Sequence, residues 1–460
     1  MVPPINRTSY IVHRKSYILF SYFYSVNPPP MTNRRSFIKQ SAGAIALASF
    51  TNRLFAAEFE NQLQRVSHLS PLDAASDEDF WSWVQQQYPV SVNLINLNNG
   101  GLSPHPKPVQ DALYRYDEMS NEAPSYYMWR ILDKGRETLR GKLADLAGCN
   151  AEEIAINRNA TEAVDTAIFG LNLKAGDEVV MTKQDYPHMV HAWRQREKRE
   201  GIKIVWINFE LPIEDEDFMV KQFVNAFSDK TKVVHITHII NWTGQILPVK
   251  KIAAEAHKRN IEVLVDGAQS FGHFEFRLDD LGCDYFGTSL HKWLCAPFGT
   301  GMLFVKKEKI KNLWPFFPND KHDSDDIRKF EVLGTRSFPA EQATGQAINF
   351  HLAIGVKRKE ARLRYLKDYW AKQVINVPGV KIHTSLKPEF SCAIANFSIA
   401  GITTSDLEVK LFNEFRIHAS PIVWENIDGV RITPHVYTRI ADLDLLVKAI
   451  KTIAAEVSKK

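Results

Sequence analysis

Short apolar runs recur along the middle of the chain, each closed by small or polar residues. Ile154-Ala155-Ile156, Glu178-Val179-Val180-Met181, Ile204-Val205-Trp206-Ile207 and Val233-Val234-His235-Ile236-Thr237 read as strands. So do Val263-Leu264-Val265, Tyr285-Phe286-Gly287-Thr288 and Met302-Leu303-Phe304-Val305. Helical segments alternate with the earlier ones, over residues 160–171 and 248–259. Upstream, Ser76 caps a helix over 77–88, with Asp77, Glu78 and Asp79 in the first turn and Pro89 ending it. Residues 93–97 form a short strand before the turn Asn98-Asn99-Gly100-Gly101. A long helical region covers 108–147, interrupted near Pro124, with Gly148 as its C-cap. Its Tyr126, Tyr127 and Trp129 are assigned to packing rather than to a pocket wall.

A long amphipathic helix over 340–371 leads out of this array. Strands at 393–397 and 430–432 follow, with helices over 405–415 and from Asp442 onward. Strands joined through helices imply a mostly parallel sheet covered on both faces. The expected fold class is therefore α/β, with a seven-stranded sheet in a large domain and a smaller α+β domain. The expected boundaries are 58–100 for a segment joining the small domain, 101–338 for the large domain and 339–460 for the small one. In such a sheet ligands bind beyond the carboxyl ends of the strands. Thr161, Tyr186, Asn241, Asp266 and Lys292 all follow strand ends.

Composition changes this picture mainly at the front. The chain has 460 residues, 45% of them hydrophobic, enough for two domain cores. The net charge of +4 arises within residues 1–57, which hold seven Lys/Arg and no acid. Taking those seven from the 57 basic residues leaves 50 against 53 acidic ones, so the rest gives no reason to expect nucleic-acid binding. Arg34-Arg35 precede Ser36-Phe37-Ile38-Lys39 and a mild apolar run from Ala42 to Phe50. This matches a twin-arginine export signal, with cleavage expected near Ala56 or Ala57 and a periplasmic or otherwise exported product. The run is too short to span a membrane, which takes about 20 apolar residues. Residues 1–30 read as an extension from an upstream start codon. The four cysteines (Cys149, Cys283, Cys295, Cys392) have neither metal spacing nor a disulfide pattern. Cys295 reads as a packed small hydrophobe, not a nucleophile.

The chemistry concentrates between Val263 and Gly301. One buried strand ends on Asp266, followed by Gly267, Ala268 and Gln269. Another leads into Ser289-Leu290-His291-Lys292. An acid and a lysine placed this way fit a pyridoxal phosphate site: the lysine forms the Schiff base and the carboxylate pairs with the ring nitrogen. Gln269 would bond the ring's phenolate oxygen, and Ser289 and His291 the phosphate. The string D-x-x-Q followed by S-x-H-K resembles the class V aminotransferase family of pyridoxal phosphate enzymes, fold type I. The resemblance runs from about Leu97 to Ile440.

It implies further roles. Ala160 and Thr161, in Asn159-Ala160-Thr161-Glu162, match the family's phosphate turn at a helix N-terminus. Tyr186 takes the place of the ring that stacks on the cofactor, with His188 second. Asn241 matches an asparagine near the substrate carboxylate, and the turn at Asn98 borders the substrate pocket. Arg431 matches the carboxylate-binding arginine, although Tyr437-Thr438 lacks the asparagine usual after that tyrosine. Thr335, after Gly334, corresponds to a threonine reaching the partner subunit's phosphate, so a homodimer with shared sites is implied. Arg336 is expected to reach the substrate.

For the reaction, residues 416–426 lack the cysteine of the family's desulfurases. The Asp185-Tyr186-Pro187 turn, Gly334-Thr335-Arg336 and the export signal look most like the isopenicillin-N-epimerase-like branch. The implied activity is Cα–H cleavage on an amino acid or small amine, epimerase-like or aminotransferase. Carbon–sulfur β-elimination is the alternative, and a catalytically inactive periplasmic binding protein is the alternative of another class.

Overall fold

The computed structural model describes residues 60–459; the twin-arginine motif, its apolar run and the cleavage site lie outside them. The chain divides into two compact units, Met1–Arg65 and Val66–Lys460. Of the first, only residues 60–65 are described, and they are helical.

The second unit is built on a seven-stranded sheet. Its strands are β1 (Ile154–Asn157), β2 (Glu178–Thr182), β3 (Lys203–Ile207), β4 (Thr231–Thr237), β5 (Glu262–Asp266), β6 (Tyr285–Ser289) and β7 (Gly301–Val305). Their order is β1-β7-β6-β5-β4-β2-β3, and only β7 runs against the others. The continuous apolar runs follow from burial on both faces. Val263 and Val265 point into one core and Leu264 into the other; Phe286 and Tyr285 divide the same way.

Helix α1 (Lys107–Glu122) and helix α2 (Asp133–Ala147) lie before the sheet, joined by a short turn and a π-helical stretch, Tyr127–Leu132. Tyr126 and Trp129 are partly exposed there, packing edge-on against Tyr127 and Phe338. Helix α3 (Ala160–Gly170) follows β1, and helix α4 (Pro187–Glu200) follows β2. Two glycines let α3 come close to the sheet. A Cβ on Gly287 of β6 would stand 2.5 Å from Val164, and one on Gly301 of β7 would stand 2.6 Å from the Asn159 backbone. The first turn of α3 is thereby brought to the carboxyl edge of the parallel strands.

A four-stranded antiparallel sheet lies in the last third of the chain. It contains β8 (Val380–Ile382), β9 (Ala395–Ile399), β10 (Ser420–Trp424) and β11 (Ile427–Ile432), in the order β10-β11-β9-β8. Ile95–Asn96 pairs in parallel with Ile417–His418. A third apolar core joins these strands to the closing helix Ile440–Val457.

Several expectations need correction. The cap of the first long helix is Asp77, whose carboxylate accepts from the Phe80 N–H, and the helix spans only Glu78–Gln85. The expected strand over 93–97 shortens to two residues. The expected helix over 340–371 is two helices, α5 (Phe338–Ile354) and α6 (Val356–Val374). They are split by Gly355 at φ 93°, a left-handed conformation that ends a helix and that glycine adopts without steric cost. Strand β10 had no clear signal because it holds Pro421, which is tolerated on an edge strand.

Candidate active site

Beyond the carboxyl ends of the parallel strands lies a cavity of about 310 Å³. Ala160, Thr161, Tyr186, Asn241, Asp266, Gln269, Ser289, His291, Lys292 and Arg431 all line it. Of the other residues expected at the site, Thr335, which is exposed, stands outside it, as do His188 and Arg336.

Among the described residues, no hydrogen bond or ion pair holds the Lys292 ammonium. Burial lowers its pKa to about 8; the Asp266 carboxylate pulls it up and Arg431 pushes it down. A lysine so shifted is partly neutral near pH 7–8, as a nucleophile or base must be. Asp266 closes β5, and its Oδ1 accepts the Ala268 N–H at 2.9 Å. Burial raises its pKa, against that N–H, His235 and Lys292, while Asp185 adds to the rise.

Sequence reasoning missed the pair behind it. His235 lies fully buried within β4, and its Nδ1 accepts the Trp193 indole N–H at 3.1 Å. That leaves Nε2 to face Asp185 Oδ1 at 3.4 Å. The other oxygen of Asp185 accepts from the Thr182 N–H and hydroxyl. A lone histidine in an apolar strand gives no sign of such a partner.

At the opposite end the first turn of α3 meets the lysine-bearing loop. Asn159 caps the Glu162 N–H at 2.8 Å. The Ala160 N–H donates to Ser289 Oγ at 2.9 Å. That N–H is engaged within the chain, and the Thr161 N–H and hydroxyl and the Ser289 hydroxyl proton are left to face the cavity. His291 is held by a bond of its own. Its Nδ1–H donates to the Thr300 carbonyl at 3.0 Å, and burial, then Lys292, lowers its pKa to about 4. With Nδ1–H so engaged, Nε2 is the ring nitrogen left to face the cavity.

Arg431 forms the third corner. It donates to the Asn241 carbonyl at 3.0 Å and to Asn98 Oδ1 at 2.7 Å. Its Nε is buried without a partner, and among the described residues no carboxylate pairs with it. Burial lowers its pKa to about 10. A buried guanidinium without a counter-ion suits an incoming carboxylate, which it can hold through two parallel bonds. Asn98 was legible only as part of the turn. Gly100 of that turn sits so close that a Cβ there would be 3.5 Å from the Arg431 guanidinium carbon.

Gln269 is held at both ends of its amide. Trp293 Nε1 donates to Oε1 at 2.9 Å, and Nε2 donates to the Gly100 carbonyl at 2.8 Å. Tyr186 forms a wall and is 46% exposed. His188 is not in the cavity; it pairs with Asp165 at 2.9 Å. Arg336 is also outside and faces Glu341 at 3.7 Å, so the expectation that it reaches substrate is not met within one chain. All four thiols are free and none lines the cavity; Cys295 packs against His435 Nε2 at 3.3 Å. Met189, Thr237 and Ile239 complete the lining and had not been singled out.

The family described as Aminotransferase class-V matches residues 95–420. Among curated proteins, an isopenicillin N epimerase of Amycolatopsis lactamdurans is 28% identical over 397 residues, covering 81% of this chain and 98% of that protein. A probable cysteine desulfurase of Synechocystis sp. is 28% identical over 348 residues, covering 70% of this chain and 82% of that protein. Among solved structures, a C-DES mutant with glycine covalently linked to its PLP cofactor superposes with a TM-score of 0.72 at 22% identity. It covers 80% of this chain and 98% of its own. A cysteine desulfurase of Thermococcus onnurineus NA1 gives 0.72 at 20% identity, covering 82% and 98%. These two likenesses establish the fold.

Proposed function

Because the chain belongs to the aminotransferase class-V family, we propose that it is a pyridoxal-phosphate-dependent enzyme acting on the Cα–H bond of an amino acid or small amine, by epimerisation or amino transfer. The observation that carries this is the unpartnered Lys292 in one cavity with the Asp266 carboxylate and the uncompensated Arg431. The residues fit the cofactor. When bound, pyridoxal phosphate supplies an electron sink for the pair released at Cα.

The chain's own groups then divide the work. Asp266 would keep the proton on the ring nitrogen, and Thr161 and the Ser289 hydroxyl would hold the phosphate. Tyr186 would stand beside the ring, and Gln269 would offer its remaining Nε2 proton to the phenolate oxygen. Arg431, steadied by Asn98 and the Asn241 carbonyl, would take the substrate carboxylate and orient Cα toward Lys292. Lys292, with its depressed pKa, would accept the Cα proton. No thiol lines the cavity, so persulfide carriage is not assigned.

Borohydride reduction of the purified protein followed by peptide mapping tests the attachment. Label at Lys292 that is absent from Lys292→Ala is the expected result; a label elsewhere removes the basis of the assignment. Screening amino acids for keto acid, inverted enantiomer and sulfide in parallel then identifies the reaction.

Two readings extend this proposal. The chain is exported by the twin-arginine route, supported by Arg34-Arg35 before Ser36-Phe37-Ile38-Lys39. Changing both arginines to lysine should retain folded precursor in the cytoplasm. The chain also works as a homodimer in which Thr335 completes the partner's phosphate site, supported by its exposed place outside its own cavity.

A further inference from the structure

The inner cavity, about 310 Å³, opens beside a second cavity of about 1180 Å³. The first is at the low end of small-ligand sites, which span roughly 300–1,000 Å³. With a pyridoxal phosphate and the amine and carboxylate of a substrate in place, it has little room for a side chain. Asn98 and Gly101 line the outer cavity, and Gly101 lines the inner one as well. Asn98 stands at the junction: its Oδ1 accepts from Arg431, and its Nδ2 faces His418 Nε2 at 3.4 Å in the outer wall.

The outer wall carries apolar side chains among polar ones such as Asn93, Asn96 and Thr438. Leu94, Leu102, Phe298 and Phe412 contribute to it, and Leu102 and Phe298 are more than half exposed. Two guanidiniums also stand in it. Arg439 is held by Asp442 at 2.6 Å. Among the described residues Arg416 makes no ion pair, and its guanidinium lies 6.0 Å over the Phe412 ring. The wall therefore offers apolar surface and one uncommitted positive charge.

We infer that the outer cavity is the side-chain subsite, and that the substrate is an α-amino acid with a long side chain, apolar along its middle and anionic at its end. This rests on the reading of the inner cavity as the site of cofactor and amino-acid head. Arg431 would take the head carboxylate and Arg416 the distal anion, with the methylenes between them along Leu102 and Phe412.

The test titrates the purified, cofactor-loaded full chain with alanine, 2-aminoheptanoate and 2-aminopimelate, following the cofactor's visible absorbance. Each methylene buried in the outer cavity should tighten binding roughly four-fold, from ~0.8 kcal/mol per CH₂. The last two probes match in length and differ in the terminal carboxylate, so 2-aminopimelate should bind up to about five-fold tighter, the range of an exposed ion pair. Arg416→Gln should erase that difference. Equal affinity for alanine and the long probes would overturn the subsite. A carboxylate preference that is absent, or that survives Arg416→Gln, would overturn the assignment of the anionic end. If none of the three probes perturbs the bound cofactor, the amino-acid reading itself falls and the subsite with it.

Discussion

Trp293 donates its indole N–H to Gln269 Oε1 at 2.9 Å, and this contact decides which end of the amide is oxygen. An indole nitrogen can only donate. With Oε1 so engaged and one Nε2 hydrogen on the Gly100 carbonyl, a single N–H is left for the cavity. Trp293, the residue after Lys292, thus positions a donor that it does not itself provide.

Trp293→Phe removes the N–H along with part of the ring stacked on His273, now 3.7 Å between centroids, so its stability is measured beside its spectrum. Gln269 can then turn its oxygen toward the cofactor. Losing a donor to the phenolate oxygen disfavours the deprotonated form, so the midpoint of the pH titration of cofactor absorbance should rise. A hydrogen bond to a charged group is worth about 1.5–3 kcal/mol, or about one to two pH units at most. Gln269→Leu should move the midpoint at least as far, and the double variant no farther. Additive shifts would show that Trp293 acts through another route.

The depressed pKa of Lys292 makes a prediction about stability. Its folded value is about 8, against about 10.4 for a free lysine. Folding therefore disfavours the charged form. In cofactor-free protein the cost is fully present below pH 8 and is relieved as pH rises from about 8 to about 10.4. Its size is on the order of 3 kcal/mol. Lys292→Met should be the more stable protein in denaturant at pH 7, and its advantage should shrink across that window. An advantage constant from pH 7 to 10.5 would mean that the lysine is not held in a desolvated site.

Much of this was legible because it depends on local pattern. The run Val263-Leu264-Val265 announces a strand buried on both sides, and Asp266 is where it stops. The five residues placed after strand ends, Thr161, Tyr186, Asn241, Asp266 and Lys292, all line one cavity. The parts that were not legible are contacts between distant residues. Asn98 and Arg431 are 333 positions apart, and Ala160 and Ser289 are 129 apart, so neither bond has a local signature. The same holds for His235 beside Asp185. The break at Gly355 was missed for another reason: a single glycine in a periodic helix is often tolerated, and only its φ of 93° shows that the helix ends.

Arg431 should separate amino acids from amines. Arg431→Gln removes a charged donor pair from the substrate carboxylate, a loss on the order of 1.5–3 kcal/mol. KM for amino acids should rise by roughly one to two decades. Amines without a carboxylate should be affected far less. Equal loss for both classes, measured as kcat/KM, would place Arg431 in structural support and not in recognition.

The proposed shared-site dimer makes the last prediction. Thr335 is exposed beside Gly334, which adopts φ 78°. Nearby, Trp129 packs edge-on against Phe338 at 5.0 Å while remaining 43% exposed, and Val332 is exposed to the same degree. Exposed apolar side chains flanking a threonine that its own cavity does not use suit an isologous contact, where one change acts at both sites. Thr335→Ala would remove one bond to a charged phosphate, about 1.5–3 kcal/mol. Cofactor affinity should fall by roughly one to two decades while the dimer persists. Trp129→Asp should instead weaken the dimer and, with it, cofactor retention. Cofactor titration alongside light scattering reads both effects. A fully loaded, active monomer, or a Thr335→Ala protein with unchanged affinity, would rule out the shared site.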